Sequence, residues 1–512
     1  MIGESMTVRE LLEKLPDAAI HGVIDVPVLA LTCDSRAVQP GTLFFALRGT
    51  KTDGHRYIEQ AVAAGAVAVV LEDAEYAPAG IPWVNVADGR AAMGRSAALF
   101  NGDPTAAKPL IGITGTNGKT TTTYLLEAIL AAAGMKAAVL GTISYRFGAK
   151  TIEASHTTPE STELQRAFRQ LSDAGAESFV MEVSSHALEQ KRVDGCHFDV
   201  GIFSNLTRDH LDYHGTMEQY LDAKSRLFSE LLRPTPEKPH RRAVINRDDP
   251  YSGEIARRSV CPVITFGISG ECEVRPVNVS SSVTGITATL ITPRGECTFS
   301  SLLLGRFNLS NILAAAAAGV ALELPLEAIK EGIENHTTVP GRMERVENNA
   351  GVTCLVDYAH TGDALENVLG TLKEIATGRI ITVFGCGGDR DNGKRPIMGR
   401  IAASMSDLAI VTSDNPRTED PQTILEQIRG GITPLRLHEY RPDDISSDFS
   451  VKGVTFLESR RDAIRLAISV ARPGDIVLLA GKGHEDYQII GTTKHHFDDR
   501  EEAVAMFAEV AA

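Results

Sequence analysis

A short apolar run, Leu110-Ile111-Gly112-Ile113, breaks into Gly115-Thr116-Asn117-Gly118-Lys119-Thr120-Thr121 and then into a helix-forming stretch that the pattern extends to Ala133. A buried strand turning through glycines into an amphipathic helix implies an α/β unit with a largely parallel sheet. Glycines there let backbone N–H groups approach phosphate oxygens, and the helix N-terminus adds positive potential. Lys119 is suited to neutralise β- and γ-phosphate charge, and Thr120 to ligate Mg2+. Gly115, Thr116, Asn117, Gly118, Lys119, Thr120 and Thr121 are therefore candidate nucleotide-binding residues. The spacing departs from G-x-x-x-x-G-K-[ST], because Ile113 stands where the first glycine belongs. A glycine-rich turn that holds no ligand is the competing reading of the segment.

At 512 residues the chain exceeds what one core supports, so about two to four domains are expected. Residues 1–104 read as a small α/β unit, with strands at Leu43–Leu47, Ala66–Leu71 and Trp83–Val86 and helices at Arg56–Ala64 and Arg90–Phe100. Asn101-Gly102-Asp103-Pro104 breaks that last helix and marks a boundary. Residues 105–339 alternate buried strands (Leu110–Ile113, Phe179–Val183, Val200–Phe203, Ala243–Asn246) with helices, then a β-rich stretch at Glu273–Ser300 and a helix at Asn308–Leu322. Val339-Pro340-Gly341 reads as an interdomain break and a hinge candidate. Residues 340–512 repeat strand, loop and helix, from Cys354–Asp357 to Ile476–Leu479, as a doubly wound fold does.

Charge and cysteine usage narrow the partners. Sixty-six acidic against 51 basic residues give a net charge of −15, a field that repels DNA and RNA, so no nucleic-acid partner is expected. The seven cysteines are never spaced C-x-x-C, which argues against a disulfide framework or a zinc site and for a reducing cytoplasm. The first residues show no export signal, and the apolar stretches Ala61–Leu71 and Ile312–Leu322 fall short of the ~20 residues a spanning helix needs. A soluble chain with no membrane partner is the expectation.

Other segments carry chemistry at strand ends, where open parallel sheets form their sites. Glu182 precedes Ser184-Ser185-His186, and His210 closes Ser204-Asn205-Leu206-Thr207-Arg208-Asp209-His210; carboxylate and imidazole there suit Mg2+, although a lone histidine is more often simply hydrogen-bonded. Lys224, read locally, is a lysine on a solvated helix face. The second glycine-rich loop, Gly385-Cys386-Gly387-Gly388-Asp389-Arg390-Asp391, has Arg390 where a dinucleotide fingerprint has its third glycine, so it suits an anionic substrate rather than NAD. Cys386 in that loop is a candidate for oxidation. In Ser413-Asp414-Asn415-Pro416-Arg417 a guanidinium can grip a carboxylate while Asp414 accepts from an ammonium group, as an amino acid would require; a plain proline turn is the alternative.

Taken together, these segments, with Gly305-Arg306-Phe307-Asn308-Leu309-Ser310-Asn311 and Asp357-Tyr358-Ala359-His360, resemble the Mur ligases over nearly the whole chain. The resemblance implies three domains, for a uridine diphosphate sugar, for ATP, and, in a C-terminal Rossmann-like fold, for an amino acid. It implies that Cys33, Ser35, Thr50, Lys51, Thr52, Thr157 and Thr158 hold a UDP-sugar, with Ser184, Gln190 and Arg192 at its muramoyl-peptide end. Glu182 and His210 become Mg2+ ligands, Lys224 a lysine that is N-carboxylated into a metal-binding carbamate, and Asn308, Arg342 and Asp357 residues holding the adenine nucleotide. Asp414, Asn415, Pro416 and Arg417, with Arg390, Gly481 and Glu485, are implied to bind meso-2,6-diaminopimelate.

The function so implied is ATP-dependent amide formation between diaminopimelate and UDP-N-acetylmuramoyl-L-alanyl-D-glutamate through an acyl-phosphate, by a monomer. Lys119, Lys224 and His210 are the catalytic candidates, and domain closure would bring the reacting atoms to roughly 3–3.5 Å. A folylpolyglutamate-type synthetase shares the central-domain chemistry but has no use for the N-terminal sugar segment or for Arg417, and a P-loop switch or transport ATPase would turn over ATP with no small-molecule acceptor.

Overall fold

The computed structural model describes residues 6–511 apart from 14, 16, 17, 50, 51, 155 and 337. Thr50 and Lys51 thus lie outside the described residues. The chain divides into two compact units: residues 1–276, 290–297 and 310–332, and residues 277–289, 298–309 and 333–512.

The first unit contains two sheets. One is ordered Ala19–His21, Trp83–Asn85, Ala66–Leu71, Thr42–Phe45, Ala30–Thr32, all parallel except its first pair. The helix expected over residues 56–64 begins as a 3-10 turn, Gly54–Tyr57, because the Asp53 carboxylate accepts from the His55 N–H; the α-helix runs Ile58–Ala63. The second sheet runs Val263–Phe266, Arg242–Asn246, Val200–Phe203, Leu110–Thr114, Ser178–Glu182, Ala137–Leu140, Tyr145–Phe147, Lys150–Ile152. Its first six strands are parallel and the last two antiparallel. The expected central strands are all present, shifted by no more than a residue at either end.

Leu110–Thr114 is buried at every position, as a strand covered on both faces must be. Its neighbours are Ser178–Glu182 on one side and Val200–Phe203 on the other. All three run the same way, so the loops at 115–119, 183–186 and 204–210 leave from one edge of the sheet.

In the second unit, a sheet is ordered Glu344–Val346, Thr353–Asp357, Ile476–Ala480, Ile380–Phe384, Leu408–Val411, Gly453–Phe456, His438–Glu439, parallel except for the first pair. The segments after Asp357, Ala480, Phe384 and Val411 again share one edge. The hairpin Tyr487–Ile490 with Thr493–His496 was not anticipated, since its strands carry few buried residues; it is pinned to the loop after Val411 by reciprocal backbone bonds between Arg417 and residues 489 and 491. The β-rich stretch resolves into three strands, Arg275–Ser282, Gly285–Thr292 and Gly295–Ser301. No helix among the described residues is long and apolar enough to cross a membrane.

Candidate active site

The helix Lys119–Ala132 begins at Gly118, which has φ +89° and no side chain to cap the first turn. The first-turn N–H groups are thereby left for another acceptor. A Cβ at Gly118 would lie 2.3 Å from the Asn311 Oδ1, and one at Gly115 would lie 1.9 Å from the Ser204 Oγ, so neither position accepts a larger residue without rearrangement. The loop is laced to the neighbouring strand end: the Asn117 N–H donates to the Asn205 Oδ1 (2.8 Å), and the Ser204 hydroxyl to the Asn117 carbonyl (2.7 Å). Thr116 bonds the Tyr220 hydroxyl at 3.2 Å, and Thr122 and Thr123 return their hydroxyls to the carbonyls of Gly118 and Thr120. Two of the four consecutive threonines at this helix start thus occupy their hydroxyls with the backbone.

Two lysines converge on one carbonyl. Lys119 donates to the carbonyls of Gly115 and Thr116, and Lys224 donates to that of Gly115, each at 2.9 Å. The solvated face expected for Lys224 is corrected: the residue is 1% exposed, because the helix Met217–Arg226 turns Tyr220, Leu221, Ala223, Lys224 and Ser225 inward. The Lys224 amine lies 4.5 Å from the Tyr220 ring centroid, and burial, with the Lys119 charge, drives its pKa well below the ordinary value against a weaker opposing pull from Asp209.

Glu182 is buried and accepts from the Thr120 hydroxyl (3.0 Å), the Thr142 N–H (3.0 Å) and the Thr142 hydroxyl (3.0 Å). A carboxylate beside a hydroxyl is the oxygen set Mg2+ takes. Among the described residues no group of three or more His, Cys, Asp or Glu is gathered to hold a metal, so a cation there also needs phosphate, water or a modified lysine. His210 adopts φ +53° at the start of the short helix Leu211–His214, with its ring 4.9 Å from that of His186 and 6.2 Å from that of Tyr220. Burial lowers its pKa, and Lys119 and Lys224 add to the effect against Asp209. A neutral imidazole is the form that coordinates metals.

Of the residues implied to hold the sugar and its peptide end, Thr157, Thr158, Ser184, Gln190 and Arg192 form one network with Thr142 and Glu182. The Thr158 hydroxyl donates to the Glu182 carbonyl (2.8 Å) and accepts from the Ser184 N–H (3.1 Å), so both its bonding directions are used inside the protein. Thr157 meets Thr142 at 3.0 Å, and Ser184 caps the helix Ser185–Glu189. Arg192 reaches the Thr158 carbonyl, the Gln190 side chain and Glu160, and Gln190 donates to the Tyr213 hydroxyl. Ser35 donates to Gln60, and exposed Thr52 accepts at its carbonyl from Gly49. Burial, and next the Glu160 charge, push the Cys33 thiol up to about 11.

In the second unit, Asn308 is buried and donates to the Leu304 carbonyl. Asp357 accepts from the N–H groups of Met343 and Ala359, each at 2.8 Å; burial raises its pKa, with Arg342 opposing. Arg342 lies over the Tyr358 ring at 5.0 Å. The Val339–Gly341 segment is pinned rather than loose: Gly341 donates to Glu344 and accepts from the Tyr358 N–H.

Asp414 and Asn415 are buried, and Arg417, with φ +53°, donates to the Gly388 carbonyl at 2.8 Å. Asn415 donates to Glu485 (2.9 Å), and the Asp414 Oδ1 lies 3.3 Å from the Lys482 ammonium. Gly481 donates to the Asp357 carbonyl with φ +115°. Arg390 is exposed, and its guanidinium donates to the Asp389 carbonyl at 3.2 Å. The oxidation expected at Cys386 is corrected: the thiol is 2% exposed, and burial pushes its pKa up to about 12.

Sequence reasoning passed over Thr142, Glu160, Asn205, Tyr220 and Lys482. The flanking glycines in Gly481-Lys482-Gly483, directly after a buried strand, are a signal of the same kind as the first loop. Thr142 and Glu160 have no such local mark.

The Mur ligase family, catalytic domain description matches residues 28–101, Mur ligase middle domain residues 113–319, and Mur ligase, glutamate ligase domain residues 341–483. The chain is 61% identical over 507 residues to a UDP-N-acetylmuramoyl-L-alanyl-D-glutamate--2,6-diaminopimelate ligase of Geobacter metallireducens, covering 99% of each. A solved structure of a ligase of that name covers 99% of this chain and 100% of its own, at 34% identity and a TM-score of 0.72. Mycobacterium tuberculosis folylpolyglutamate synthase, complexed with ADP, shares the fold at 20% identity and a TM-score of 0.59, covering 75% of this chain and 90% of its own.

Proposed function

This chain belongs to the Mur ligase family, and we propose that it joins meso-2,6-diaminopimelate to UDP-N-acetylmuramoyl-L-alanyl-D-glutamate with ATP, a step of peptidoglycan precursor synthesis. The observation that carries the reading is 61% identity, over 99% of both chains, to a ligase of that name.

A carboxylate is a poor electrophile and needs activation. In the proposed reaction the D-glutamate side-chain carboxylate attacks the ATP γ-phosphorus in line, ADP leaves, and an acyl-phosphate forms. The amine of diaminopimelate then adds to the acyl carbon, phosphate leaves, and the nitrogen gives up its proton. The N–H groups at the start of Lys119–Ala132 and the Lys119 ammonium face the phosphate charge that grows during the first transfer. Thr120, Glu182, His210 and a carboxylated Lys224 would hold Mg2+, which when bound neutralises phosphate charge. Carboxylation needs an unprotonated amine, and burial together with the Lys119 charge lowers the Lys224 pKa in the direction that favours it. The carbamate, formed from the neutral amine and CO2 with loss of a proton, would set a negative charge beside the Lys119 ammonium.

Arg417 supports the choice of amino acid. Diaminopimelate differs from lysine by a distal carboxylate, and a charge-assisted bond to it contributes about 1.5–3 kcal/mol, or roughly tenfold to a hundredfold in preference. Residues 1–104, 105–339 and 340–512 are assigned to the UDP-sugar, to ATP and to the amino acid, in a cytoplasmic monomer. ADP release should require the UDP-muramoyl dipeptide and diaminopimelate together. Equal turnover with lysine, or turnover with neither substrate, overturns the reading; the second result is what a switch or transport ATPase would give.

A further inference from the structure

Lys482 has no exposed surface, and its four nearest partners all belong to the segments proposed to read diaminopimelate or to the hairpin behind them. Its ammonium donates to the Tyr487 carbonyl (2.6 Å) and to the Asn415 Oδ1 (3.1 Å), and lies 3.3 Å from Asp414 and 3.9 Å from Glu485. Gly481 and Gly483, with φ +115° and +54°, turn the chain sharply on either side of it. A Cβ at Gly483 would lie 2.6 Å from that of Tyr358, so the turn is built to drive the lysine inward.

Two consequences follow for its neighbours. Asn415 accepts at Oδ1 from both Lys482 and the Ile489 N–H (3.0 Å), which fixes its amide so that Nδ2 faces Glu485. Asp414 is held from behind, since Gln488 donates to its carbonyl, and its buried Oδ1 faces Lys482 without a hydrogen bond of its own. That oxygen therefore keeps acceptor capacity that no protein hydrogen bond uses. The same cation separates the two acids: burial pushes Glu485 up, with Asp414 adding to the rise, whereas Lys482 and Arg460 hold Asp414 below its ordinary value against burial. Asp414 and Glu485 thus have one buried cation, Lys482, set between them at 3.3 and 3.9 Å.

We propose that Lys482 is a positioning residue for the amino-acid substrate, one that orients Asp414 and Asn415 and balances the charge of the pocket without touching the reacting atoms. The inference rests on the diaminopimelate reading. Steady-state kinetics on the full-length chain test it, with all three substrates varied for wild type, Lys482→Met and Lys482→Arg.

Lys482→Met should raise the KM for diaminopimelate at least tenfold and move the KM for ATP and for the UDP-muramoyl dipeptide by less than twofold. Lys482→Arg keeps the charge but not the contacts, and should raise the diaminopimelate KM about fivefold. It carries the test if the Met variant does not fold. A diaminopimelate KM within twofold of wild type in a folded variant overturns the proposal, as does an equal rise in all three KM values. A wild-type enzyme whose ADP release ignores diaminopimelate would instead defeat the functional reading itself.

Discussion

Two lysines of this chain are buried to the same degree and face opposite surroundings. Lys224 ends at the Gly115 carbonyl beside a second ammonium, that of Lys119, whereas Lys482 ends between the carboxylates of Asp414 and Glu485. At Lys224 burial and the Lys119 charge act together against a weaker pull from Asp209, whereas at Lys482 carboxylate oxygens lie 3.3 and 3.9 Å from the amine. The same side chain thus meets a carbonyl and a second lysine in one unit and two carboxylates in the other, and what distinguishes the two is the company rather than the depth.

Stability breaks this comparison most sharply. Lys482→Met leaves the buried Asp414 carboxylate, beside the half-buried Glu485, without its cation and should cost about 3–5 kcal/mol. Lys224→Met removes an amine with no carboxylate at hydrogen-bonding distance and should stabilise by about 0.5–2 kcal/mol in Mg2+-free, CO2-depleted buffer. Urea midpoints of the two variants should move in opposite directions; the same sign for both would mean that burial alone governs them.

Activity separates them next. Lys224→Ala should lower kcat about a hundredfold or more, with partial recovery on adding acetate or another short carboxylate. Indifference to that addition argues against a carbamate. Arg417→Ala should reduce the diaminopimelate-over-lysine ratio of kcat/KM by roughly tenfold to a hundredfold, and an unchanged ratio removes Arg417 from the pocket.

The smallest effect concerns His484, two residues from Lys482. Burial, then the charges of Arg342 and Arg500, lower its pKa from 6.5 to about 4. Below pH 6.5 the unfolded chain takes up a proton that the folded chain refuses until about pH 4, so stability falls as pH drops through that window. His484→Gln should flatten the fall by on the order of 1 kcal/mol, since the ring is still partly exposed. Melting temperatures at pH 7.0 and 4.5 measure it; an unaltered difference would mean that the ring titrates normally.

Much of the fold was legible because buried parallel strands read as continuous apolar runs. Ala66–Leu71, Val200–Phe203, Ile380–Phe384 and Leu408–Val411 fall where the pattern put them. The strands with exposed faces, such as Ala19–His21 and Thr493–His496, left no such trace. Within the candidate site, the glycine turn and Glu182 announced themselves at strand ends. Lys224 did not, since its helix carries enough polar residues to read as solvated, and only the identity of its neighbours reversed that.

The order of strands, turns and helices, the glycines of the strand-to-helix turn and the motifs shared with the Mur ligases are properties of the sequence alone. Backbone periodicity and glycine's missing side chain act over a few residues, and so they can be read from a few residues. Tertiary structure decided which charges share an enclosure. The Lys224–Gly115 bond spans 109 residues and the Lys482–Asn415 bond 67. Both exist because the sheet order sets distant strand ends side by side, and electrostatic fate in a low-dielectric interior depends on that adjacency.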